Sequence, residues 1–450
     1  MTTILLLLAC GSSAPPPLPD VPFRALREAP AHPPNVLVIL LDDVATDRVG
    51  IYDEHPQPAR TPTIDALAAE GVRFTEAYAH PVCSPSRASL LTGRYARRTG
   101  IGFNVRPDSG HTFPDGEGTL AEMLKASPSP YATYGMGKWH LQPREQQSVE
   151  GPMSQGFDRW EGAIGNLVLP DSYTDYTWYE ADGTITEHAS EYLTSREVDR
   201  LVDAVQTLPE PWLVWGALHA PHGPWTPPPD ELLAEPFPEG AGGADLYDAM
   251  LEAADTELAR LLDVVDRDDT LIVLLGDNGT PREMVRPPLE KDHGKGTAFE
   301  AGVRVPWIVV GPGVRRGVVS DALVSVVDLF PTVAASAGVD PQRDGVPLDG
   351  VSLWPLLDGS ATSVRSFAFS EKAYVRNDRA SVRMVRDARF KLMERGKKRT
   401  LHDLRDRHDD GPDVSDGLSP EEQQAYDALK AELDRVKADL GARPSSGCGG

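Results

Sequence analysis

The chain reads as an α/β protein: a large, mostly parallel sheet flanked by helices, followed by a small C-terminal α+β subdomain. Three observations predict this. Apolar runs of strand length recur up to about Val310, helical patterns separate them, and shorter, charged strand candidates take over after about Asp358. At 450 residues with 40% apolar content, the chain can bury one large core plus an appendage.

The elements follow in order. Residues 4–8 are apolar, and Leu7-Leu8-Ala9-Cys10 resembles a bacterial lipoprotein signal, although no Lys or Arg precedes the apolar run. Residues 1–10 are therefore expected to be a signal and Cys10 a site of lipid attachment, which implies an exported protein, anchored in the cell envelope or released to the periplasm or outside. Residues 11–34 are rich in Pro and small residues, too polar to offset their ordering entropy, and read as a flexible tether. Residues 35–357 form the main domain. It opens with Val36-Leu37-Val38-Ile39-Leu40-Leu41, a continuous apolar run expected of a strand covered on both faces. Similar runs occur at residues 212–218, 270–275 and 305–310. Thr61-Pro62 opens a helix, with threonine as N-cap and proline at the first position, and Gly71 closes it. Leu246, Met250, Ala254, Leu258, Leu261 and Leu262 form one stripe of a helix over residues 244–265. In the expected subdomain, residues 358–441, strands at 381–385 and 389–393 precede a helix capped by Ser419-Pro420-Glu421-Glu422. Residues 442–450 form a tail.

The formal net charge of −24 excludes nucleic acid as a partner, because its binders need a basic surface. An anionic substrate would require a local cluster of cations that outweighs this field. No later stretch reaches the ~20 apolar residues that span a bilayer, so any membrane contact runs through Cys10. The cysteines Cys10, Cys83 and Cys448 are too few and too scattered for a disulfide framework or a thiolate zinc site. Cys10 fits lipidation and Cys448 lies in the glycine-rich tail, which leaves Cys83 to be explained.

In open α/β sheets, ligands bind beyond the carboxyl ends of the strands. Asp42 and Asp43 follow the first strand, and Asp277 and Asn278 follow the strand from Thr270. Three carboxylates and an amide converging at one place would repel unless a hard cation sat among them, which an all-oxygen donor set suits.

Cys83-Ser84-Pro85-Ser86-Arg87-Ala88-Ser89-Leu90-Leu91-Thr92-Gly93-Arg94 resembles the signature of the type I sulfatases of the alkaline phosphatase superfamily. In that family Cys-x-Pro-x-Arg directs a maturation enzyme to oxidise the cysteine to formylglycine. Further matching segments follow in the family's order: Gly137-Lys138-Trp139-His140, His219-Ala220-Pro221-His222, Gly276-Asp277-Asn278-Gly279 and the run from Gly294-Lys295-Gly296 to Pro306. The resemblance spans residues 35–404. Ala301, Gln142 and Val44-Ala45 depart from the usual pattern without removing a chemical group.

The resemblance implies one Ca²⁺ held by Asp42, Asp43, Asp277, Asn278 and the modified Cys83. Arg87 would hold the formylglycine, Lys138 and Lys295 the sulfate, His140 would face the formylglycine, and His222 the leaving-group oxygen. That set is the cation cluster the net charge demands. A hydrated aldehyde carries two hydroxyls on one carbon; one can attack sulfur, and deprotonation of the other by His140 re-forms the aldehyde and expels sulfate. Lys138, Lys295 and Ca²⁺ meet the charge on the non-bridging oxygens, while His222 and Lys295 protonate the departing oxygen.

The implied activity is hydrolysis of an aryl or carbohydrate sulfate ester to an alcohol and inorganic sulfate. Two alternatives are a phosphonate or phosphodiester hydrolase of the same superfamily and, in a different class, a surface lipoprotein that binds sulfated glycans without turnover. The two lysines and the single set of four oxygen ligands favour the sulfate ester, and no catalytic group that would mark a mere binder is missing.

Overall fold

The computed structural model describes residues 22–26, 30, 32–106, 112–374, 380–405 and 409–441; Cys10, the expected signal and the tail with Cys448 lie outside them. Its centre is an eight-stranded sheet. In chain order the strands are β1 Asn35–Leu41, β2 Val72–Phe74, β3 Ala132–Gly137, β4 Arg159–Glu161, β5 Trp212–Ala217, β6 Thr270–Gly276, β7 Trp307–Val310 and β8 Val318–Ser320. Their spatial order is β8-β2-β7-β6-β1-β5-β3-β4. All neighbours pair in parallel except β7, which runs antiparallel to both β6 and β2. The expected mostly parallel sheet is therefore present, with one reversed strand.

The continuous apolar runs are explained by what covers them. Val36, Val38 and Leu40 point to one face, where they meet Leu90, Leu91, Phe330 and Val333; Leu37, Ile39 and Leu41 point to the other, with Leu201, Met250 and Leu258. All seven residues of β1 are buried. Helices α1 Pro62–Glu70, α3 Leu193–Thr207 and α4 Ala244–Val264 cover the second face, while α2 Cys83–Thr92 lies on the first. Of the predicted stripe on α4, Met250, Ala254, Leu258, Leu261 and Leu262 are buried and Leu246 packs at its margin.

Two local expectations need correction. Thr61 precedes α1 but its side chain does not cap it. Asp255 on α4 does, accepting from the Thr63 and Ile64 amides at 2.9 and 2.8 Å, and a carboxylate is the better partner for the positive end of a helix. Within the stretch read as a tether, Arg24–Ala25 form a short strand against Val339–Asp340, and the Phe23 ring packs 6.0 Å from Phe330; that apolar contact is what the Pro-rich composition obscured.

The C-terminal region is a four-stranded antiparallel sheet, β9 Ala368–Lys372, β10 Val382–Arg386, β11 Phe390–Arg395 and β12 Lys398–Asp403, in sequential order. Helix α5, Pro420–Gly441, lays Leu429, Leu433 and Val436 on it. The predicted capping box is formed: the Glu422 amide donates to Ser419 Oγ (3.3 Å), and the Ser419 amide to the Glu422 carboxylate (2.8 Å). No described helix is long and apolar enough to cross a membrane.

Candidate active site

The parallel strands β1, β3, β5 and β6 deliver their following residues to one end of the sheet. Asp42 and Asp43 follow β1, Lys138 and His140 follow β3, His219 and His222 follow β5, and Asp277 and Asn278 follow β6. Because β1 and β6 are adjacent with Leu41 opposite Gly276, the two acidic pairs emerge side by side. Asp43 takes a left-handed conformation, φ 72°, and its amide donates to Asp277 Oδ1 at 3.2 Å.

Cys83 begins α2, fully buried. Its Sγ lies 3.7 Å from Asp42 Oδ1, 4.0 Å from Asp43 Oδ1, 3.6 Å from Lys138 Nζ and 3.2 Å from Lys295 Nζ. One turn along α2, Arg87 donates through Nε to Asp277 Oδ2 (2.9 Å) and also bonds the Lys138 carbonyl, so it ties α2 to the ends of β6 and β3. Lys138 and Lys295 pair with Asp42 and Asp43 respectively. His222 approaches Asp43 Oδ2 from the other side at 3.8 Å. Its Nδ1 is 2.6 Å from the Gly223 carbonyl, which can only accept, so Nδ1 carries the proton and Nε2 faces the site. Tyr173 holds the His222 backbone by donating to its carbonyl at 2.8 Å.

All the catalytic and metal candidates singled out in the sequence converge here except that His140 contacts the group through its backbone: its carbonyl accepts from Ser84 Oγ, next to Cys83, at 2.8 Å. The His140 ring is buried with Nδ1 unpartnered, at a left-handed φ of 55°. His219 turns away, bound between Glu197 (2.6 Å) and the Gly165 carbonyl (2.9 Å). His293 stacks on Phe299 at 3.5 Å rather than lining the cleft.

The electrostatics fit a cation. Burial pushes Asp43 up to about 6 even though Lys295 opposes it, so its charge is poorly compensated. Asp42 is held well below the carboxylate range because Lys138, His222 and Arg87 outweigh its burial. The Asn278 amide nitrogen donates to Asp43 Oδ1 at 2.7 Å, while its fully buried Oδ1 has no partner at all. An orphaned buried amide oxygen beside three carboxylates is what a hard divalent ion would satisfy. Asp42, Asp43, Cys83 and His222 each offer one ligand atom within 4.8 Å of the others. Burial also pushes the Cys83 thiol up to about 12, despite Lys138 and Lys295, so the unmodified thiol is no ready thiolate nucleophile.

Above these groups opens a cleft of about 450 Å³, lined by His222 and Lys295 and walled by Leu167, Leu169, Trp225 and Arg282. Leu167, Leu169, Trp225 and Arg282 come from three segments far apart in the chain, and the shapes of those loops are not legible in any local pattern.

The family model described as Sulfatase matches residues 34–339. Human N-acetylgalactosamine-6-sulfatase is 32% identical over 72% of this chain; the alignment spans 66% of that protein, so the chain covers about two thirds of its length. Bovine arylsulfatase A is 34% identical over 81% of this chain and 75% of its own. Among solved structures, Ps i-CgsB in complex with k-i-k-neocarrahexaose superposes with a TM-score of 0.76 at 25% identity, over 92% of this chain and 94% of that one.

Proposed function

Since the chain belongs to the sulfatase family, whose members hydrolyse sulfuric esters, we propose that it cleaves a sulfated carbohydrate, using Cys83 matured to formylglycine beside one Ca²⁺. The observation that carries this reading is the position of Cys83: its Sγ lies between the Lys138 and Lys295 ammonium groups and next to Asp42 and Asp43. A sugar as the alcohol is supported by the open cleft beside Trp225 and by the oligosaccharide in Ps i-CgsB.

Asp42, Asp43, Asp277 and Asn278 would hold the ion, with the matured Cys83 as a further ligand. When bound, Ca²⁺ and formylglycine supply a polarised hydroxyl nucleophile with a second hydroxyl on the same carbon. The chain's own residues do the rest. Lys138 and Lys295 receive the non-bridging oxygens of the ester, preorganised by their carboxylate partners. Lys295, whose pKa is raised well above the usual value because Asp43 and Cys83 outweigh its burial, keeps its proton and can deliver it to the departing oxygen. His222 presents Nε2 to the same region and gains proton affinity when the anionic ester arrives. His140 is kept neutral by burial and by Lys138 and Arg87, and its bare Nδ1 is suited to accept a proton from the formylglycine.

The test is a turnover screen of protein coexpressed with a maturation enzyme. Sulfate release from sugar or aryl sulfates, with formylglycine at position 83 by peptide mass spectrometry, is expected. Turnover of phosphodiesters in preference to every sulfate ester, or activity with an unmodified thiol, would overturn the reading.

Export and lipid attachment at Cys10 form part of the same proposal, resting on Leu7-Leu8-Ala9-Cys10. Wild-type protein is expected in the membrane fraction and Cys10→Ala in the soluble exported fraction; cytoplasmic protein with its leader intact contradicts it.

A further inference from the structure

The cleft carries positive charge that hydrolysis of one sulfate ester does not use. Arg282 lines it next to Lys295, and its Nε donates to the Lys295 carbonyl at 3.2 Å, which anchors the side chain at the cleft wall. From the other side Lys372, the last residue of β9, donates to the Gly296 carbonyl. Lys372 Nζ and a terminal nitrogen of Arg282 converge on one point: they lie 3.3 and 4.0 Å from where a Cβ on Gly296 would sit. Gly296 has a φ of +88° and no side chain to separate the two cations. Its amide donates to the Pro81 carbonyl (2.7 Å), so this point is fixed two residues before Cys83 and one after Lys295.

The positive charge continues across the C-terminal sheet. Lys372 is opposite Val382, Val382 opposite Arg395, and Arg395 opposite Lys398, and residues paired in this way project from the same face. Among the described residues, none of Arg282, Lys372, Arg395 or Lys398 forms an ion pair with a carboxylate. The acids that line the cleft are Asp43, which pairs with Lys295, and Glu283. Burial, then Arg282 and Arg395, lower the Lys372 pKa to about 8, the mark of a half-buried cation among like charges. In a chain of net charge −24, Arg282 at the cleft wall and Lys372 beside it, without a carboxylate partner among the described residues, are placed for an anion that arrives with the ligand.

We propose that Arg282 and Lys372 form a subsite for a second anionic group of the substrate, a further sulfate or a carboxylate on the sugar, with Arg395 and Lys398 extending its path. This rests on the reading of the chain as a carbohydrate sulfatase and makes it selective for polyanionic glycans over singly sulfated ones.

Three oligosaccharides with the same scissile ester test it: one with no other anion, one with a second sulfate, and one with a uronate carboxylate. At low ionic strength the wild type is expected to hydrolyse at least one of the doubly anionic esters with a higher kcat/KM. Arg282→Gln and Lys372→Gln should each lower that preference about tenfold, the scale of a lost charge-assisted hydrogen bond, and Lys372→Gln should leave the singly sulfated ester within about threefold. Arg282→Lys should retain most of the preference. Arg395→Gln, on an exposed residue whose loss cannot unfold the protein, should lower it about twofold. The response to sulfate against carboxylate identifies which anion the subsite reads. Equal kcat/KM for all three esters in the wild type, or variants that slow all three alike, would overturn the subsite and leave the sulfatase reading intact. Hydrolysis of none of the three in matured protein would instead remove both.

Discussion

Two of the buried ionic clusters among the described residues differ in how completely the chain satisfies them. One is the active site, where Asp42, Asp43 and Asp277 face Arg87, Lys138 and Lys295. The other joins the C-terminal sheet to the main domain. There Glu300 accepts from Lys391 (2.7 Å) on Oε1 and from Tyr78 (3.0 Å) on Oε2, where Arg304 adds an ion pair at 2.8 Å; Lys391 also pairs with Asp410 at 2.7 Å, and Asp410 accepts from the Glu300 amide at 2.6 Å. Both are buried and rich in both signs of charge. The joint leaves its central carboxylate saturated from every side, while the active site leaves Asn278 Oδ1 and His140 Nδ1 with no partner. Buried charge that the chain closes on itself fixes two layers together; buried charge left incomplete is a place for a ligand.

The most severe break in the comparison is chemical. Cys83→Ala should reduce turnover roughly 10⁴-fold or more, since no other group can serve as nucleophile. The melting temperature should stay within a few degrees, because the side chain removed is small. A large loss of stability instead would place Cys83 in the structural class with Lys391.

Lys391→Met is the converse experiment. It removes the cation shared by Glu300 and Asp410, leaving Asp410 with the Glu300 amide and Glu300 with Tyr78 and Arg304, and breaking a buried pair costs about 3–5 kcal/mol. Denaturant unfolding should register that loss, while kcat/KM of the protein that remains folded changes little. The double variant with Glu300→Gln should recover part of the stability, which a purely steric effect of methionine would not allow.

Lys138→Ala and Lys295→Ala probe the incomplete cluster more gently. Each should lower kcat/KM by about 10²–10³, as loss of an oxyanion donor does, and by a similar factor on two sulfate esters with unlike alcohols. An effect confined to one ester would mean that the lysine reads the alcohol. Asp277→Ala and Asn278→Ala should cost more Ca²⁺ affinity than the roughly 10–100-fold typical of outer-sphere changes, measured by metal titration.

The same contrast explains what the sequence disclosed. Residues 36–41 and 270–275 were legible because a strand buried on both faces must be apolar throughout, and the ligands at their ends inherit their place from parallel pairing. The Cys83 segment was legible because its chemistry demands residue types at fixed short spacing. Contacts between distant segments left no such trace. Asp255 caps α1 from about 190 residues away, and Lys391 meets Glu300 across 91. The reversed strand β7, the cleft wall at Trp225 and Leu169, and the position of Arg282 depend on how loops fold back, which no local pattern encodes.

The finest distinction is in pH dependence. Burial would raise the Glu300 pKa, but Lys391, Arg304 and Arg386 outweigh it and hold the group at about 2 against an ordinary 4.5. A depressed carboxylate contributes stability that is fully present above its unfolded pKa and is lost as pH falls toward its folded one. Between pH ~5 and ~3.5 this group alone should therefore remove about 1 kcal/mol, and none above that window. Glu300→Gln has no proton to bind, so its unfolding free energy should be lower at neutral pH but fall less steeply over the same interval. Parallel curves for the two proteins would show that the joint gains nothing from the Glu300 charge, and the difference between a closed ionic cluster and an incomplete one would then lie in geometry alone.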